Sequence, residues 1–232
     1  MYLYSCTCTG TSNSPTVVCL PPVVAVAARS LERAQEFADK HGIPTAYGSY
    51  DELLADPNID AVYNPLPNSL HMPLSVAALR AGKHVLCEKP LCQNAEEAMI
   101  MQRESEDAGK VLIEAFHTIY HPASIRARDI VRSGTVGAVQ SVDVKHLGNF
   151  LAGKTSKDDD VRLDVTLGGG CMMDLGCYDV MAIRFLCDTE LTEVASATAD
   201  PFVDDALVDD ASAPAHSPEQ FGYMQYFVSA HN

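Results

Sequence analysis

Residues 81–91 read AGKHVLCEKPL. An apolar run, His84 to Cys87, ends in a carboxylate and an ammonium side by side, Glu88 and Lys89, followed at once by Pro90. An adjacent acid and base can be the edge of an active site or a solvated strand exit. Position decides between them: in a parallel doubly wound sheet, ligands bind outside the carboxyl ends of the strands.

The surrounding elements predict such a sheet. VVAVAARS, from Val23, is a continuous apolar run of the kind covered on both faces. SLERAQEFADKHG follows with helical spacing, Ser30 at the N-cap and Gly42 at the stop. IPTAY is a short strand, SYDELLADPN a short capped helix, and IDAVYNPLP a buried strand ended by Pro65 and Pro67. SLHMPLSVAALRAG is a helix, HVLCEKP a strand, NAEEAMIMQRESEDAG a helix and KVLIEAFHTIYHP a strand. This alternation predicts right-handed βαβ units. Four strand ends then gather at one edge: Ala28-Arg29-Ser30, Asn64-Pro65-Leu66-Pro67, Glu88-Lys89-Pro90 and Phe116-His117.

The rhythm shifts after His121. SIRARDIVRSGTVG is one more helix, and AVQSVDVKHLG alternates apolar and polar residues as a half-exposed antiparallel strand does. GGGCMMDLGCYDVMAIRFL is a helix entered through glycines; LTEVASATA and FGYMQYFV are further strand candidates. The expected division is therefore an irregular segment 1–22, a dinucleotide-binding domain 23–121 and a partial substrate or dimerisation domain 122–232.

The chain has 232 residues, 47% of them hydrophobic, and a formal net charge of -15. That balance excludes a nucleic-acid binder, which needs a basic face. Much of the charge lies late, at Asp200, Asp204, Asp205, Asp209 and Asp210, as a solvated acidic loop. No apolar run approaches the roughly 20 residues of a membrane span, and the first ten residues lack the features of a signal peptide. Eight cysteines without secretion signals suit reduced thiols in the cytoplasm. Cys6 and Cys8 have no second pair at metal-ligand spacing, so no metal site is expected.

AGKHVLCEKPL resembles the Glu-Lys-Pro signature of the Gfo/Idh/MocA family of nicotinamide-dependent oxidoreductases. VVAVAARSLERAQEFADKHGI, YGSYDELLADPNIDAVYNPLPNSLHMPLSVAALRAGKHVLCEKPL, EAFHTIYHP, SGTVGAVQSV and GGGCMMDLGCYDV agree with the family in the same order. The similarity is greatest to the branch of dihydrodiol and NADP-dependent D-xylose dehydrogenases. It implies a Rossmann-like α/β fold followed by an α+β domain with an open, mainly antiparallel sheet, through which a homodimer can form. It implies that Lys89 lies beside the nicotinamide and the reacting hydroxyl, aimed by Pro90, and that the helix after the glycines supplies Asp174 and Tyr178. Positions i and i+4 share a helix face, so this spacing lets carboxylate and phenol point one way. A tyrosine with a pKa of about 10 is a poor base at neutral pH, and a nearby ammonium would lower that value. Tyr178 is then the general base, Asp174 orients substrate or base, and the other reading of Tyr178 is a core tyrosine.

The resemblance also assigns the cofactor crevice to Arg29, Ser30, Asn64, Pro65, Leu66, His71, Glu88 and Lys89. The second Rossmann strand ends in Asp or Glu when the ribose 2′-hydroxyl is free; here Arg29 and Ser30 suit a 2′-phosphate, which favours NADP over NAD. His71 falls at a histidine position of the family, or is a helix-surface histidine. The expected substrate is D-xylose, oxidised at C1 to the lactone, or a trans-dihydrodiol. Residues 1–22 contain one glycine, Gly10, and no strand–turn–helix pattern. The first strand and its phosphate-binding turn are therefore expected to be missing, leaving two unpaired strand edges, and the second domain to be short. The alternative reading is a truncated, catalytically inactive family member with weak or no cofactor binding.

Overall fold

The computed structural model describes residues 3–6, 22–144, 160–190 and 226–228. The chain forms two compact units, Met1–Ala115 and Phe116–Asn232.

The first unit holds a six-stranded sheet. Its strands are β1 (Leu3–Cys6), β2 (Val23–Ala27), β3 (Thr45–Tyr47), β4 (Ala61–Asn64), β5 (His84–Cys87) and β6 (Leu112–Glu114). Their spatial order is β3-β2-β1-β4-β5-β6. The pairs β2–β3, β4–β5 and β5–β6 are parallel. The helices between them are α1 (Leu31–His41), α2 (Tyr50–Ala55), α3 (His71–Arg80) and α4 (Ala95–Ala108). Sequence chemistry sets their ends. Ser30 accepts from the Arg33 N–H and Ser49 from the Glu52 N–H, while Gly42 closes α1 in the left-handed region at φ 67°. Ala25, Val26 and Ala27 of β2 are essentially buried, as a strand covered on both faces must be. Leu53, Leu79 and Met101 bring α2, α3 and α4 onto the sheet. Truncating Leu79 to alanine would cost about 2–5 kcal/mol.

The centre of the sheet corrects the expectation of an irregular N-terminus and an open slot. Leu3–Cys6 pairs with both β2 and β4, and it does so antiparallel: Leu3 lies opposite Ala27 and Tyr4 opposite Tyr63. Two exposed strand edges are a strong template for any segment of suitable propensity, and the sequence MYLYSC supplies one. The slot is filled, but in the reverse direction.

The other differences are smaller. β6 stops at Glu114, level with Cys87 where β5 ends, and His117–Tyr120 is a turn of 3₁₀ helix. The division falls between Ala115 and Phe116, ahead of the expected 121/122.

In the second unit α5 (Pro122–Arg132) packs against α6 (Cys177–Cys187). Arg132 donates to the Phe185 carbonyl at 2.8 Å, tying the two helices. β7 (Val142–Val144) and β8 (Tyr226–Val228) pair antiparallel. The helix predicted after the glycines begins as a π-helical turn, Met172–Gly176, and only then becomes α6. The strand candidate LTEVASATA and the late acidic run lie outside the described residues.

Candidate active site

The carboxyl ends of β4 and β5 are bound into one polar frame. Asn64, 1% exposed, donates through Nδ2 to the His71 carbonyl at 3.2 Å and to Ser75 Oγ at 3.1 Å, and its Oδ1 accepts from the Leu66 N–H at 3.3 Å. The Glu88 N–H donates to the Asn64 carbonyl at 3.0 Å, so the turns after the two strands are joined through main chain. His71 is fully buried beneath them, with Nδ1 2.7 Å from the Pro90 carbonyl oxygen and Nε2 2.8 Å from that of Leu66. The helix-surface alternative for His71 is overturned. Burial pulls the His71 imidazole below its ordinary value, against the two carbonyls and the carboxylates of Glu88 and Glu97.

Glu88 and Lys89 follow directly. The Tyr63 hydroxyl donates to Glu88 Oε1 at 2.5 Å, and Glu88 Oε2 accepts from the Lys89 N–H at 3.1 Å. Lys89 and Pro90, joined by a cis peptide bond, are half-buried. The Leu91 N–H donates to Glu114 at 2.8 Å, so the turn is held on both sides of Lys89. Burial, followed by the Glu88 charge, pushes the Glu114 carboxyl up. Cys87 is buried and its thiol pushed up to about 12 by burial, which makes it a packing residue.

Arg29 and Ser30 stand at the end of β2, on the other side of β1 from Asn64. Burial raises the Tyr50 phenol while the Arg29 and Arg33 cations lower it, so both guanidiniums act on one place, Tyr50 at the start of α2. Between these two groups of residues, β1 runs antiparallel, from Leu3 at the carboxyl edge to Cys6 at the amino edge. No cluster of metal-ligating side chains occurs among the described residues.

In the second unit Asp174 sits on the π turn and Tyr178 in the first turn of α6. The Tyr178 ring lies 4.9 Å from Phe116 and edge-on to His117 at 5.9 Å. Asp174 accepts from Arg162 Nε at 2.8 Å, and Arg162 Nη1 also reaches Asp160 at 3.2 Å. Burial disfavours the Arg162 cation, but Asp174 and Asp160 outweigh it and hold the guanidinium above its ordinary value. The glycines make this possible: a Cβ on Gly169 would stand 2.6 Å from the Arg162 carbonyl oxygen, and Gly170 has φ 113°.

Sequence reasoning missed Tyr63, Glu114, Arg33, Arg162 and the buried Asp179, 3% exposed. Arg33 was legible as a second cation one turn into α1. Arg162 carried no spacing signal, because its partner is 12 residues away across irregular chain.

Residues 11–116 match the profile of the oxidoreductase family with an NAD-binding Rossmann fold, and residues 124–220 that of the Gfo/Idh/MocA C-terminal domain. The chain belongs to the Gfo/Idh/MocA oxidoreductases. It is 47% identical over 174 residues to D-xylose 1-dehydrogenase (NADP(+)) 2 of Haloferax volcanii, covering 75% of this chain and 52% of that one. It is 42% identical over 164 residues to trans-1,2-dihydrobenzene-1,2-diol dehydrogenase of Macaca fuscata fuscata, covering 71% and 47%. Among solved structures, a 3-ketoreductase from Actinomadura kijaniata in complex with NADP and TDP-benzene is similar with a TM-score of 0.60 and 32% identity, covering 71% and 49%. The chain thus spans about half the length of the curated relatives it matches. No described helix is long and apolar enough to cross a membrane.

Proposed function

We propose that the chain is an NADP-linked dehydrogenase acting on a hydroxyl of a small sugar or cyclic diol, with D-xylose oxidised at C1 to its lactone as the first candidate and a trans-dihydrodiol as the second. The observation that carries this reading is the Glu88–Leu91 turn: Lys89 stands at the carboxyl end of β5 on a turn held by Asn64, Tyr63, His71 and Glu114. A half-buried lysine on a turn so fixed is equipped to orient and polarise a hydroxyl. The activities for which the two dehydrogenase relatives are named support the substrate class.

The residues fit NADP at both ends of the crevice. Arg29, Arg33 and Ser30 would hold the 2′-phosphate, and Asn64, Pro65, Leu66, Glu88 and Lys89 the nicotinamide end, with His71 beneath them. Bound there, the nicotinamide supplies the acceptor for the hydride leaving the substrate carbon. Tyr178 would take the hydroxyl proton at Oη, and Asp174 would orient the partner. A homodimer through the second-unit sheet belongs to the same reading. The thiols of Cys87, Cys92, Cys171, Cys177 and Cys187 suit the reducing cytoplasm.

One observation favours a second reading, an inactive family member with weak or no cofactor binding. β1 runs antiparallel, so its carboxyl end, Cys6, lies at the opposite edge of the sheet from the carboxyl ends of β2 and β4, where a pyrophosphate-binding turn would stand. Titrating the purified chain with NADPH by fluorescence, with NADH as control, separates the two. Saturable binding that prefers NADPH and weakens in Arg29→Ala supports the enzyme, with D-xylose turnover lost in Lys89→Ala. A folded chain that binds neither nucleotide is the inactive form.

A further inference from the structure

His71 presents both ring nitrogens to carbonyl oxygens, at 2.7 Å from Pro90 and 2.8 Å from Leu66, inside a site 1% exposed. Carbonyl oxygens only accept. A neutral imidazole has one N–H and one lone pair, so it can donate to one of the two and faces the other with a lone pair; the imidazolium donates to both. Neither nitrogen is left for a ligand. The two carbonyls belong to different turns, that of Leu66 after β4 and that of Pro90 after β5, the latter adjacent to Lys89. Burial opposes the cation most strongly; against it act the two carbonyls and the charges of Glu88, from the Lys89 turn, and Glu97, from α4, all of which favour it. Asn64 and Ser75 complete the surroundings without titrating.

We propose that His71 is a positioning residue for Lys89, a proton-dependent clamp that fixes the Glu88–Leu91 turn to the Asn64–Pro67 turn through two main-chain carbonyls. As the cation it holds both turns; as the neutral ring it holds one and repels the other. The role given to Lys89 rests on the function proposed above, whereas the clamp rests on the geometry alone.

The test uses the full chain with its lysines ¹³C-methylated. The Lys89 resonance is assigned by K89R, and Lys83, whose Nζ donates to the Asp56 carbonyl at 2.6 Å before β5 begins, is the internal control. The protonation of His71 is followed in parallel by ring ¹⁵N shifts. The expected result is an inflection of the Lys89 resonance at the pH where His71 titrates, absent from Lys83 and lost in H71Q. A Lys89 resonance indifferent to His71 titration overturns the clamp. Equal movement of Lys83 also overturns it, since that is general loosening. If H71Q does not fold, the wild-type titration decides alone. Where the chain turns over D-xylose, H71Q lowers kcat about tenfold with KM little changed, the loss of about one buried hydrogen bond. Absence of turnover sinks the proposed function and leaves the NMR result standing.

Discussion

Arg162 Nε lies 2.8 Å from Asp174 Oδ2, an ion pair that spans the glycine run and reaches the π turn just before α6. Sequence spacing offered Asp174 a tyrosine one turn on; the fold gives it a guanidinium as well. The carboxylate is thereby held in one orientation, as the orienting role proposed for it requires.

Arg162→Met should therefore resemble Asp174→Asn. Arg162 is 46% exposed, so its loss should change unfolding free energy by less than about 1 kcal/mol. Turnover should fall about ten- to a hundredfold, because orientation is lost while the fold remains. A double-mutant cycle in kcat/KM should be strongly non-additive; additive effects would separate Arg162 from Asp174 in function.

Gly169→Ala should disturb the second unit. Its Cβ meets the carbonyl oxygens of Arg162 and Asp164 at 2.6 and 2.7 Å, and both belong to backbone. The expected cost is about 1–3 kcal/mol, read from urea unfolding.

Acid stability should change in opposite senses in two variants. Burial lowers the His71 imidazole below 6.5, so the unfolded chain binds that proton more readily. Stability from this group is present above pH 6.5 and lost as pH falls toward the folded value. Burial raises the Glu114 carboxyl above 4.5, so the folded chain holds that proton and loses stability as pH rises through the folded value. Urea unfolding between pH 4 and 8 should show a smaller acid loss in His71→Gln and a smaller loss on raising pH in Glu114→Gln.

Thiol reactivity should rank by burial. Cys87, its thiol pushed up to about 12, should resist an aromatic disulfide reagent in the native chain, whereas the exposed Cys171 should react first. Rapid labelling of Cys87 would mean that β5 opens readily.

What the sequence revealed was whatever local pattern dictates. The buried run of β2, the caps Ser30 and Ser49, the stop at Gly42 and the strand end at Glu88-Lys89 follow from hydrophobic period and turn chemistry. The carboxyl-edge rule then located Lys89 without reference to any contact. Relationships across the chain were not legible. His71 carries no mark that it will meet Leu66 and Pro90, and Asp174 none that it will meet Arg162, since those distances depend on how separate turns pack. β1 was illegible for another reason: four residues have too little period to declare a strand, and only two waiting edges give them one.

The direction of β1 has an engineering consequence. Cys6 and Val23 are register partners at the amino edge of the sheet, so whatever links them begins and ends there, on the side away from Lys89 and Arg29. Giving the centre of this sheet a strand of the same polarity as β2 and β4 is therefore a change of topology and not of side chains.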